Sequence, residues 1–241
     1  MNSPDQQNRY VLVVDAGKDD LFYTCTLLHR LGYRVFTAYT AEKAIEFMTA
    51  VPPAAVIVDA APSGAPLIPN LTQDPRFFDI PLILLSWWPH SELDARTRQA
   101  KFFAYLRKPP DVIQLFRTVQ MAMEKSPRRN IRIASYLPVR LEDGLDGAEG
   151  YATALSEYGM FFRTFEPRRP HSLIPVTIEI SGRLIRAEAE VLYTVAFEEG
   201  PFREPGLGMK FTTISRKDRE TIAAFILDQI EKGTARPSPQ T

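Results

Sequence analysis

The sequence predicts two folds in series. The first is an α/β half built on a doubly wound, parallel five-stranded sheet; the second is a β half, a six-stranded antiparallel barrel closed by one α-helix. Three observations carry this reading. Short continuous apolar runs alternate with helical stretches as far as residue 125, the pattern of a parallel sheet covered on both faces. From Ile131 the pattern changes to alternating segments punctuated by glycine and proline, followed by one amphipathic run. A chain of 241 residues is long enough for two domains of ordinary size, each burying its own core.

The strands of the first half read "YVLVVD", "YRVFTAY", "AAVIVD", "IPLILLS" and "FAYLRKP". The first helix is expected to begin at Asp19 and Asp20, good N-terminal residues, and to end at Gly32. The last helix, "PDVIQLFRTVQMAMEKS", places Val112, Leu115, Phe116, Val119 and Met123 on one stripe and stops before Pro127. The barrel strands read "IRIASYLPVRL", "YATALS", "MFFRTF", "IPVTIEI", "LIRAEAEVLYTVAF" and "GLGMKF". Ser215 caps the closing helix, whose apolar stripe is Ile222, Phe225, Ile226 and Ile230. These boundaries give a tail over 1–8, a first domain over 9–125, a basic linker over 126–132, the barrel over 133–233 and a tail over 234–241. Both tails are expected to be disordered.

Composition excludes several classes of function. Lys plus Arg equals Asp plus Glu at 29 each, so no global field favours nucleic acid or anionic lipid. Cys25 is the single cysteine, expected as a buried structural thiol in a reducing compartment. No apolar run has the length of a membrane span and "MNSPDQQN" lacks the apolar core of a signal peptide, so a cytoplasmic location is expected. His29, His90 and His171 have no ligand spacing, and no metal site is expected. There is no nucleophile elbow and no glycine-rich phosphate loop, so the chain does not read as an enzyme.

In a parallel sheet of this kind the ligand crevice lies beyond the carboxyl ends of the strands, where the sequence supplies Asp15, Asp59, Ser86 and Lys108. The order "VLVVD", "VIVD", "LLS", "YLRKP" resembles the receiver domain of bacterial response regulators, a flavodoxin-like fold, over about residues 8 to 125. The resemblance implies that Asp59 accepts a phosphoryl group, that Ser86 and Lys108 hold it, that Tyr105 is the aromatic that swings with it, and that Lys108–Pro109 is cis. Two departures stand against a working site. Where the family ends its first strand with two acids, this chain has Asp15 and then Ala16, which weakens magnesium binding and charge neutralisation; Asp19 or Asp20 could substitute through the loop, with helix capping the favoured role, and magnesium is not expected. Trp87 stands where the family keeps a small residue, and an indole there crowds the phosphate pocket. Asp59 is therefore read as an inherited strand-end carboxylate satisfied by Lys108 and backbone donors. Trp87, Trp88, Phe102 and Phe103 offer either core packing or a partner surface. Receivers also pair through the face of their last two helices, and "ELDARTRQAKFF" would allow a homodimer there.

At the seam of the two halves, "SPRRNIR" puts Arg128, Arg129 and Arg132 into five positions. Guanidinium forks match a phosphate, or the O6 and N7 acceptors of guanine. Downstream, "ALSEYGMFF" sets a small polar residue and a glycine at a turn, where a backbone can approach a ligand. Arg-x-x-x-Arg, a barrel strand and then Ser-x-x-Gly resemble the PilZ domain, a receptor module for the second messenger cyclic di-GMP, over about residues 126 to 233. Residue by residue the resemblance assigns cyclic di-GMP binding to Arg128, Arg129, Arg132, Ser156 and Gly159, with Arg168 or Arg169 adding charge. The family's acidic or amide position is Ala154 here, and an alanine methyl cannot hydrogen-bond guanine. Losing one such base-edge pairing weakens binding about ten- to hundredfold.

The expected function is a non-catalytic bacterial signal-transduction protein, an attenuated cyclic di-GMP effector that relays ligand state to a regulatory protein partner through a degenerate receiver. Two alternatives remain open at this point: a ligand-independent protein scaffold, and a response regulator driven by phosphorylation of Asp59.

Overall fold

The computed structural model of the chain describes residues 9–60, 68–69, 73–93, 95–124, 130–142, 147–196, 204–233 and 237. The chain divides into two compact units, one containing residues up to Arg129 and the other running from Asn130 to Lys232.

The first unit is a five-stranded sheet in the order β2-β1-β3-β4-β5, with every pairing parallel. Its strands are β1 (Tyr10–Val14), β2 (Arg34–Ala38), β3 (Ala55–Asp59), β4 (Leu82–Ser86) and β5 (Ala104–Arg107). The order reverses at β1, which places a crevice beyond the carboxyl ends of β1 and β3. All residues of β1, β3 and β4 are buried, as uninterrupted Val/Ile/Leu runs require, whereas the edge strand β2 is largely exposed. Helices α1 (Lys18–Arg30), α2 (Ala41–Ala50) and α3 (Ala95–Gln99) lie between successive strands, and α4 (Val112–Met123) follows β5. On α4, Val112, Leu115, Phe116 and Val119 are buried and Met123 is half-buried, so the predicted stripe faces the sheet. The helix is capped by Asp111, whose carboxylate accepts from the Gln114 N–H at 2.9 Å.

The start of α1 differs from expectation. Gly17 is its N-cap and makes no side-chain capping bond, while Asp19 and Asp20 lie in the first turn. The aspartates still face the positive end of the helix dipole, but Asp20 is used elsewhere, as described below.

The second unit is a closed barrel in the order β10-β11-β8-β7-β6-β9. Its strands are β6 (Arg132–Leu141), β7 (Ala148–Ser156), β8 (Gly159–Arg163), β9 (Leu173–Ile180), β10 (Arg183–Val195) and β11 (Gly206–Ile214), and every pairing is antiparallel. Alternation fills the interior with Ile133, Leu155, Met160, Phe162, Ile178, Val191 and Met209. Gly150 is required by that filling, since a Cβ there would lie 2.7 Å from the Phe162 ring. Helix α5 (Arg216–Glu231) buries Ile222, Ile226 and Ile230, with Phe225 half-buried, and Ser215 caps it by accepting the Asp218 N–H at 3.1 Å.

Candidate functional site

The carboxyl ends of the parallel strands gather around one ammonium group. Lys108 Nζ lies 2.6 Å from Asp15, 2.8 Å from Asp20 and 3.0 Å from Asp59, with only 2% of its side chain exposed. Asp15 is held at the end of β1 by the Gly17 N–H, which donates to it at 2.8 Å. Lys108 follows β5, and its N–H donates to the Ser86 carbonyl at 2.8 Å; the Lys108–Pro109 peptide is cis. Burial pushes the Asp15 carboxyl up, the Lys108 charge pulls it back, and the Asp59 charge raises it again, leaving it above the usual value. Burial opposes the Lys108 charge, but Asp59 and Asp15 outweigh it and hold the ammonium above its ordinary value.

Asp20 is one of the two acids for which the sequence reading favoured helix capping over substitution for the missing strand-end acid. Its carboxylate accepts from Lys108 and, at 2.9 Å, from Trp87 Nε1. The third acid of this crevice thus comes from the first turn of α1 in place of the position held by Ala16. The signal for it was the second aspartate of "DD", one residue further round a helix that begins at the strand ends. Trp87 is half-buried and turned toward these acids. Ser86 is fully buried, and its Oγ accepts the Trp88 N–H at 3.1 Å. The Tyr105 hydroxyl donates to the Trp88 carbonyl, and burial raises its pKa. Among the described residues, no group of three or more His, Cys, Asp or Glu side chains is arranged to hold a metal. The three acids converge instead on the Lys108 ammonium, which supplies the positive charge at their centre.

The four aromatics do not form one cluster. Trp87 and Trp88 follow the carboxyl end of β4, whereas Phe102 and Phe103 precede the amino end of β5. Phe102 packs against the core, and Phe103, 48% exposed, lines an open cleft of about 760 Å³ with Phe77, Phe78 and Lys101.

In the barrel, Arg128 and Arg129 lie outside the described residues, whereas Arg132 is exposed at the start of β6. Arg132 is the register partner of Ser156, Ser156 of Gly159, and Gly159 of Lys210. Three of the sequence-assigned residues therefore stand in one row across neighbouring strands, and the row adds a second cation that sequence reasoning missed. Arg132 and Lys210 are both exposed and neither has an ion pair among the described residues. The Ser156 hydroxyl donates to the Gly159 carbonyl at 3.0 Å and ties the two-residue hairpin between β7 and β8. Gly159 is demanded by the barrel itself, because a Cβ would lie 2.2 Å from the Met209 carbonyl oxygen on β11. Ala154 lies in the next row, paired with Ala134 and Phe161. Arg168 is paired with Glu166 at 3.3 Å, and Arg169 is exposed.

A barrel with this row matches a known family over residues 126–228. The barrel is a PilZ domain. PilZ domains as a family bind cyclic di-GMP. The amino-terminal half matches response-regulator receiver domains in fold. Among solved structures, the chain is similar to the receiver domain of NtrX from Brucella abortus at 21% identity, covering 48% of this chain and 99% of that one with a TM-score of 0.43. It is similar to the N-terminal domain of a response regulator receiver protein from Methanoculleus marisnigri at 28% identity, covering 49% and 99%, with a TM-score of 0.38. It is also similar to the Bacillus subtilis inhibitor of motility MotI/DgrA at 16% identity, covering 44% of this chain and 53% of that one, with a TM-score of 0.38; the chain spans about half the length of that protein. No curated protein matches the chain. No helix among the described residues is long and apolar enough to cross a membrane.

Proposed function

We propose that the chain is a non-catalytic signalling protein whose PilZ domain binds cyclic di-GMP and whose receiver passes the ligand state to a protein partner. The observation that carries this is the row Arg132, Ser156, Gly159, in which an exposed guanidinium stands beside a tied hairpin inside a PilZ domain. Arg132, with Arg128 and Arg129 of the linker, clamps phosphate and guanine edges, since guanidinium forks suit both. Ala154 leaves the base edge unread, so the affinity is lower than that of a domain with a carboxylate or amide there by about ten- to hundredfold.

The receiver acts as a protein surface rather than as a phosphoacceptor. A phosphoryl group on Asp59 would need a divalent ion beside it, yet the Lys108 ammonium already sits within 3.0 Å of all three acids and Trp87 is bonded to one of them. Opening the site requires breaking that network. The ligand-independent scaffold is the second reading, favoured by Ala154.

Calorimetric titration of cyclic di-GMP into the purified full chain tests the proposal, with Arg128→Ala/Arg132→Ala and Ala154→Asp as variants. Binding that the arginine pair loses and Ala154→Asp strengthens about tenfold or more supports the receptor. A folded wild type that gives no heat sinks it and makes the scaffold primary.

A further inference from the structure

Two adjacent register rows cross the outside of the PilZ barrel. Their inward neighbours, Ile133, Leu155, Met160, Met209 and Val191, are all buried and mutually in register, so the residues on either side of them point away from the interior; of these Arg132, Lys210 and Tyr193 are exposed, whereas Ser156, Gly159 and Gly208 are buried. The first row is the polar one already described, Arg132, Ser156, Gly159 and Lys210, and it continues on β10 to Glu190, whose carboxylate is held by His171 at 2.8 Å. The second lies two residues along each strand, about 7 Å away. It runs Ala134, Ala154, Phe161, Gly208 and Tyr193, with a bulge after Val191 on β10.

This second row alternates aromatic rings with residues that have almost no side chain, and the glycines are seats for the rings. A Cβ on Gly208 would fall 2.3 Å from the Tyr193 ring, and one on Gly206 would fall 2.7 Å from the Phe161 ring. Neither glycine has a positive φ, so close approach of the ring, rather than backbone conformation, excludes a side chain there. The two ring centroids are 6.5 Å apart with planes inclined by 35°. Each ring thus has its back on bare β11 backbone, and Tyr193 remains 42% exposed. Ala154, the register partner of Phe161, is too short to cover it. A ring fixed in this way presents a π-face that loses little conformational freedom on binding.

We propose that Phe161 and Tyr193 form a stacking platform for a purine base of a cyclic dinucleotide, with Lys210 in the neighbouring row facing a phosphate. The proposal rests on reading the polar row as the dinucleotide site, and it adds the part of the ligand that Ala154 cannot read. A ligand spanning both rows must offer a flat π-system and an anion a few ångströms apart, and a nucleotide does so. Base stacking accepts any purine face, so the platform supplies affinity where the hydrogen bond to the base edge is missing.

The test is titration of cyclic di-GMP into the full chain carrying Tyr193→Leu, Tyr193→Phe or Phe161→Leu, each with its barrel melt checked by circular dichroism. Tyr193→Leu and Phe161→Leu are expected to weaken binding about tenfold or more, and Tyr193→Phe, which keeps the ring, to leave it unchanged. Tyr193 is solvent-facing, so its two variants decide the matter even where Phe161→Leu fails to fold. Wild-type binding that Tyr193→Leu leaves intact overturns the platform while the dinucleotide reading stands. Absence of wild-type binding overturns both.

Discussion

Replacing Lys108 with methionine keeps the length of the side chain and removes the cation that Asp15, Asp20 and Asp59 share. In the wild type the ammonium is 2% exposed and makes contacts of 2.6, 2.8 and 3.0 Å, so the variant leaves three carboxylates crowded without their counter-charge. Removing one partner from a buried ion pair costs about 3–5 kcal/mol. A domain has only about 5–15 kcal/mol to lose, and each kcal/mol moves the midpoint by about 4 °C or more, so the first domain is expected to melt at least about 10 °C lower near neutral pH. The orphaned carboxylates recover by taking up protons. Asp15, already above its usual value, loses the cation that pulls it back, so its folded pKa stands further above the unfolded one, and stability is greatest below the unfolded pKa and falls as pH rises through the folded one. Acidification toward about pH 5 is therefore expected to restore part of the loss. In the wild type Lys108, like Asp15, has a raised pKa: the contribution of the ammonium is complete below its ordinary value of 10.5 and disappears as pH climbs through the higher folded value. Thermal melts followed by circular dichroism, near neutral and near pH 5, decide the question. A variant that melts within about 2 °C of wild type near neutral pH would refute the claim that this ammonium holds the strand ends together.

Three further outcomes are expected. Incubation with a small phosphodonor and magnesium, read by intact mass, leaves the chain unmodified; an adduct that Asp59→Asn abolishes would restore the phosphorylation-driven reading. Gly159→Ala drives a methyl to 2.2 Å from the Met209 carbonyl oxygen, and overpacking of this kind costs about 1–3 kcal/mol, seen as a lower urea midpoint for the barrel; an unchanged midpoint would show that β8 and β11 separate freely. Cys25 has its thiol pushed up to about 12, by burial first and then by the Asp15 charge, so iodoacetamide labels the native chain far more slowly than the unfolded one. Equal rates would contradict the burial.

Both halves of the fold were legible because periodicity carries them. The apolar runs of β1, β3 and β4 permit burial on two faces, and the alternation of β6 to β11 permits a barrel with one filled side. The strand-end acids were legible for the same reason, since each closes an apolar run. The choice between capping and the site was not legible for Asp20, because an acid in the first turn of a helix serves the dipole and a neighbouring cation equally well, and sequence alone does not say which way the side chain turns. Trp87 was read as an obstruction, and the bond its indole N–H donates to Asp20, which makes it part of the network, had no signal in the sequence. Gly159 was read as a place where a backbone approaches a ligand, and the structure adds a packing reason for the glycine, since a Cβ there would meet the Met209 carbonyl oxygen. Lys210, Phe161 and Tyr193 had no local signal at all. Their relation to Ser156 and Ala154 exists only through strand register across β7, β8, β11 and β10, which fixes which residues share a row.

Amide hydrogen exchange on the full chain, with and without cyclic di-GMP, tests the central claim most directly because it reports both whether the ligand binds and where. Slower exchange is expected over the start of β6 at Arg132, the Ser156–Gly159 hairpin and the 208–210 stretch of β11, with the strand ends around Asp59 little changed. Identical exchange with and without ligand, or protection confined to the first domain, would contradict it.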